Sequence, residues 1–217
     1  MNEQPQVVVR GEAVLTVPPE VADVLATVQV RARDRQSALE RCRARMDEVA
    51  AVVAGAGDAV ETCETGSVSV HEQWQERGTP QPAATVETRL VLSRLEGAGD
   101  LVVALGRLDD VTVSGPFWRM RPDSPAHAEA RLAAARDAVR RARQYAAAFG
   151  AELTALVEVA DTGLSGGSPR LARAAGAMAP FESSTLTLDL TPAQQEVHGS
   201  VEVRFRMSDP DPEVFRA

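Results

Sequence analysis

The hydrophobic pattern of this chain changes period from two to three-and-four and back, so strands and helices must share its core. Between residues 7 and 17, Val7, Val9, Gly11, Ala13, Leu15 and Val17 alternate with a second set that includes Arg10, Glu12 and Thr16. A period of two is a strand with one face turned inward. Pro18-Pro19 breaks the run, and a second alternation sets Val24, Ala26, Val28, Val30 and Ala32 against Asp23, Thr27, Gln29 and Arg31. The two runs are expected to pair as a hairpin. After Asp34 the period lengthens. Leu39, Cys42, Met46, Val49 and Val53 form one stripe of an amphipathic helix, which Gly55 and Gly57 end.

The same reading continues to the C-terminus. Residues 60–74 are predicted as a strand with a bulge at Gly66, then a turn from Gly78 to Pro82, then a partner strand through Val86, Thr88, Leu90 and Leu92. Leu101, Ala104, Leu105 and Leu108 predict a short helix, and residues 111–121 an extended segment around Phe117 and Trp118. A long helix is expected from about Pro125 to Phe149, with Ser124 as cap, Pro125 at the first position and Gly150 as stop. Its expected buried stripe is Leu132, Val139, Ala142, Ala146 and Phe149. Residues 153–160 read as a strand with Ala155, Val157 and Val159 on one face. Gly163, Gly166, Gly167, Pro169, Gly176 and Pro180 punctuate residues 162–180, which read as a long mobile loop. Leu186, Leu188 and Leu190, a turn over Pro192 to Gln195, and Val197 through Met207 predict a closing hairpin. A frayed tail is expected over 208–217.

This order implies an α+β fold, with a mainly antiparallel sheet, one short and two longer helices, and a single domain over 1–217. Aromatic residues are only 4% of the chain, so Val, Leu and Ala must fill the core. Leu39, Met46, Val49, Leu132, Val139, Val201, Val203 and Phe205 are the expected buried set.

Charge and motifs narrow the function. The net charge of −8 argues against general affinity for nucleic acid or anionic membranes. The long helix carries Arg131, Arg136, Arg140, Arg141 and Arg143. In a chain with no lysine and no interleaved aromatics, these read as a solvated face. The opening Met1-Asn2-Glu3-Gln4-Pro5-Gln6 has no signal-peptide character, and no apolar run approaches the ~20 residues that cross a bilayer. A cytoplasmic protein with reduced Cys42 and Cys63 is therefore expected. Cys42 falls on the helix stripe and reads as core. Cys63 is out of phase with Val68 and Val70 unless Gly66 shifts the register, and Glu61 and Glu64 flank it, which disfavours a reactive thiolate. His71, His127 and His198 lie in separate segments without zinc-site spacing. Gly166-Gly167-Ser168-Pro169 matches no phosphate loop. No catalytic residue, cofactor or metal site is expected.

Three segments, in order, carry a family resemblance. Val9-Arg10-Gly11-Glu12-Ala13 running to Val17-Pro18-Pro19-Glu20-Val21-Ala22 is similar to the opening of the SIMPL family, also called domain of unknown function 541. The Ala-spaced helix from Ala130 to Gly150 resembles its long helix. Leu190-Thr191-Pro192 through Ser200-Val201-Glu202-Val203-Arg204-Phe205 resembles its closing segment. The resemblance covers nearly the whole chain. It implies an α+β fold and homo-oligomers. Relatives of this kind include periplasmic immunogenic proteins that assemble into rings and proteins linked to oxidative stress. It supplies no catalytic residues. A non-enzymatic binding or assembly protein, with a link to stress, is the leading expectation. A redox-active or stress-protective protein using Cys63 is second, and nucleic-acid binding through the Arg-rich helix is third. The scarce aromatics Trp74, Phe117 and Trp118 are the candidate interface residues. Phe117 and Trp118 are adjacent, so in a strand only one can enter the core.

The composition of residues 162–180 offers little apolar area to offset ordering entropy. Limited proteolysis is expected to cut first near Arg170 or Arg173, and first cuts elsewhere inside the chain would show the segment to be better packed.

Overall fold

In the computed structural model, which describes residues 4–73, 81–161 and 188–216, Pro18-Pro19 separates two strands that belong to different sheets. Strand β1 is Gln6–Val17 and β2 is Val21–Arg31. Strands β3 (Val60–Gln73), β4 (Gln81–Leu92) and β5 (Val111–Arg119) join β2 in a four-stranded sheet of order β3-β4-β2-β5. Strands β6 (Leu153–Asp161) and β7 (Gln195–Met207) join β1 in a three-stranded sheet of order β1-β7-β6. The β1–β2 hairpin expected from sequence is therefore not formed. A tight hairpin needs positive φ at its turn, and proline holds φ near −65°. The helices are α1 (Arg35–Gly55), α2 (Ala98–Gly106) and α3 (Pro125–Ala148), so the fold is α+β with antiparallel sheets, as expected. The described residues group into two compact units: 4–17, 122–161 and 196–216 form one, and 18–73, 81–121 and 188–195 the other.

In the unit built on four strands, alternation decides the faces. Val24, Val28, Val30, Leu90 and Leu92 are fully buried and pack with Leu101 and Leu105 of α2 and Ala38, Cys42 and Val49 of α1. Asp34 starts α1 by accepting a hydrogen bond from the Ser37 N–H at 2.8 Å, which holds its carboxyl below the usual range. Leu39, expected in the core, is 47% exposed. The buried stripe runs through Ala38, and the next residue lies about 100° further round the helix. Gly66 marks a bulge between Thr65 and Ser67, as the sequence predicts. The expected closing hairpin is absent over the described residues. Residues 188–194 are not strand, and the Leu188 carbonyl lies against Gly99 at the start of α2. Strand β7 already has β1 on one side and β6 on the other.

In the unit built on three strands, β7 buries Val197, Gly199, Val201, Val203, Phe205 and Met207 in strict alternation. Helix α3 packs on this face. Ser124 caps it as expected, accepting from the Ala126 N–H at 3.3 Å, and Pro125 opens the first turn. The buried stripe differs from the expected one. Leu132 is 60% exposed and Phe149 41%, while Ala126, Ala130, Ala134, Ala138, Ala142 and Ala146 are buried. The reason is backbone proximity. A Cβ on Gly11 would sit 2.0 Å from the Ala134 carbonyl oxygen, and one on Gly199 would sit 2.1 Å from that of Ala130. Larger side chains cannot occupy that seam, so they turn outward. Strand β6 carries two bulges, between Leu153 and Ala155 and between Leu156 and Glu158. They set Leu153, Leu156 and Val159 opposite Met207, Phe205 and Val203, in place of the expected Ala155, Val157 and Val159 face. After Ser208, where a frayed tail was expected, Pro212–Phe215 forms a short 3-10 turn and the Phe215 ring stacks on Phe149 at 6.3 Å. The predicted loop over 162–180, and Leu186, lie outside the described residues.

Gly11→Ala and Gly199→Ala are each expected to destabilise the protein by about 1–3 kcal/mol through overpacking of the seam. Phe205→Ala should cost ~3–5 kcal/mol, and Leu132→Ala less than ~0.5 kcal/mol. Urea unfolding of the four variants checks the order, and a Leu132 effect as large as that of Phe205 would contradict this packing.

Candidate interaction site

Strand β5 begins in one parity and ends in the other. Val113 lies opposite Ala26, on the face that α1 and α2 cover. Across the sheet register, Leu25 then pairs with Ser114 but Asp23 pairs with Phe117, so β5 holds one extra residue here. The bulge falls at Gly115-Pro116. Gly115 has φ +115°, and a Cβ on it would come 2.7 Å from the Asp23 carbonyl oxygen, so only glycine fits. The shift places Trp118 opposite Ala22, where it packs half-buried against the core. Phe117 lies opposite Asp23 on the other face and is 58% exposed. The structure thus separates two of the three sequence-selected aromatics. Trp74 lies outside the described residues.

Beside Phe117 is a charge network that sequence reasoning missed. Asp23 accepts from Arg119 through both oxygens, at 2.9 and 3.1 Å, and from Arg89 Nη2 at 2.6 Å. Burial pushes the Asp23 carboxyl up, and the two guanidiniums outweigh it, leaving the group below its usual value. The pattern alone placed Asp23 on the polar side of β2. Its partners come from β4 and β5, at sequence separations of 66 and 96 residues, and no local signal marks them. Arg121 and Glu61 pair close by on the same unit, and the Arg121 N–H donates to Glu20 at 2.9 Å. These bonds link β2 to β4 and β5, and Arg121, just past β5, to Glu61 of β3 and to Glu20, on the strands around Phe117.

The other sequence-selected residues stay apart. Cys42 is buried in the α1 stripe, where burial pushes its thiol up. Cys63 is exposed. The Gly66 bulge does bring it into phase with Val68 and Val70, opposite Leu90. His198 is exposed on β7 with Glu196 at 3.7 Å, and His71 is exposed on β3. Among the described residues, no three His, Cys, Asp or Glu side chains converge as metal ligands, and no helix is long and apolar enough to cross a membrane. On α3, Arg140 and Arg141 pair with Asp137, which also accepts from the Glu12 N–H at 3.1 Å. Part of the arginine row therefore ties the helix to β1. A family model, SIMPL, described as a protein of unknown function (DUF541), matches residues 7–205. No curated protein matches the chain.

Because the folded carboxyl of Asp23 titrates below its unfolded counterpart, it contributes stability above the unfolded value of about 3.9. That contribution is lost as pH falls through the folded value. Asp23→Asn is expected to be less stable than the parent at neutral pH, with the gap narrowing as pH falls below the unfolded value and through the folded one. Urea midpoints across that range check it; a gap independent of pH would rule out the linkage.

Proposed function

We propose that this chain, which belongs to the SIMPL family, is a non-enzymatic binding and assembly protein that associates with copies of itself through the sheet face around Phe117. The observation that carries this is the Gly115 bulge, which turns a large aromatic ring outward on a strand paired into the sheet. A rigid exposed aromatic adds contact area at low entropic cost, and such rings are enriched at interfaces. Leu25 lies on the same face, beside the Asp23 network, in which one carboxylate is shared by two guanidiniums. The non-enzymatic reading rests on the dispersal of the candidate nucleophiles and bases over separate elements. A second reading, a redox-active or stress-protective role for Cys63, is favoured by the exposure of that thiol.

Sedimentation velocity under reducing conditions is expected to show concentration-dependent association at micromolar protein, shifted toward monomer by Phe117→Ser and unaffected by Cys63→Ser. A strictly monomeric parent at high micromolar concentration would overturn the proposal. Loss of peroxide protection in the Cys63→Ser variant, with association intact, would favour the second reading.

A further inference from the structure

The three-stranded sheet is wider than the helix that covers it. An α-helix with its side chains is roughly 10 Å across, and strands lie about 4.8 Å apart, so one helix covers about two strands. Helix α3 is packed on β1 through Gly11 and on β7 through Gly199, and β6 is left over. The two bulges of β6 make this strip apolar. They bring Leu153, Leu156 and Val159 to the helix side, and Leu156 and Val159 are 59% and 57% exposed there. Between α3 and β6 runs an open groove of ≈ 510 Å³, with Val139, Ala146, Leu153, Leu156 and Phe205 along it. That volume lies within the range of small-ligand sites.

The charges along the groove are arranged by sign. Arg143 lines it and also lines an adjoining hollow with Arg136 and Arg140. Arg140 is held by Asp137. Among the described residues, Arg136 and Arg143 have no carboxylate partner, although the chain as a whole carries a net charge of −8. At the other end, Glu152 and the C-terminus of α3 supply negative charge and partial negative charge. An anion would be drawn to the arginine end and repelled from the Glu152 end.

We propose that this groove binds an anionic amphiphile, a long-chain carboxylate whose alkyl tail lies along Leu153, Leu156 and Phe205 and whose head group meets Arg143 and Arg136. The strip is one strand wide, the width of an alkyl chain and half that of a helix. An extended peptide on the same floor would bring backbone N–H and C=O groups onto apolar side chains with nothing to pair them. A carboxylate suits guanidinium donors, which can hold it through two hydrogen bonds. This site is on the three-stranded unit and is independent of the Phe117 reading, so either can fail alone.

The test is titration calorimetry on the full chain with dodecanoate, kept below its micelle concentration at a pH where it is ionised, against dodecylamine as the cation of equal tail length. Dodecanoate is expected to bind saturably at one per chain, at least tenfold more tightly than dodecylamine. The double variant Arg136→Gln, Arg143→Gln should lose that preference, and Leu156→Asp should lose binding of both, with circular dichroism confirming that each variant is folded. Phe117→Ser should bind dodecanoate like the parent. Equal affinity for the two amphiphiles, a preference that survives in the double arginine variant, or no saturable binding would each overturn the proposal.

Discussion

The close approach of α3 to the backbones of β1 and β7 governs the three-stranded unit. Gly11 and Gly199 leave room for the helix backbone itself, and the row of alanines from Ala126 to Ala146 is what remains when nothing larger fits. Contact at that distance involves many small dispersion terms and leaves little freedom to slide. Asp137 adds a polar tie to the Glu12 N–H and to Arg140 and Arg141 on the same seam. Because the helix is seated over two strands, β6 is left with an apolar face beside it, and the groove follows from that placement.

Bulges do the equivalent work elsewhere. Each inserts one residue and reverses which side chains reach the core from that point on. At Gly66 the shift brings Cys63 into line with Val68 and Val70. At Gly115 it sends Trp118 inward and Phe117 outward. In β6 two shifts in succession give a spacing of three between Leu153, Leu156 and Val159. Both surfaces proposed here for binding, around Phe117 and along β6, are products of such shifts and not of the underlying alternation.

The family assignment supports this architecture without supplying chemistry, since the matching model describes a protein of unknown function. Functional readings must come from side chains that the fold presents. An outward aromatic on a salt-bridged strand favours protein contact, whereas an apolar strip ending in arginines that have no carboxylate partner among the described residues favours a small anion. The two lie on different compact units, so one chain can carry both.

Local regularities were legible in the residues alone. The alternations of β1, β2 and β7, the Ser124-Pro125 start of α3, the stop at Gly150 and the pairing of β3 with β4 all follow from short-range patterns, because side-chain period and backbone capping are set within a few residues. The family resemblance was legible for the same reason. Partner choice was not. That β1 pairs with β7 and not β2, that Asp23 meets Arg89 and Arg119, and that Ala138 is buried while Leu132 is exposed depend on groups distant in sequence. Hydrophobicity ranks Leu132 above Ala138, but the tertiary structure ranks them by the space beneath, and Gly11 on a strand more than a hundred residues away leaves none for a larger side chain.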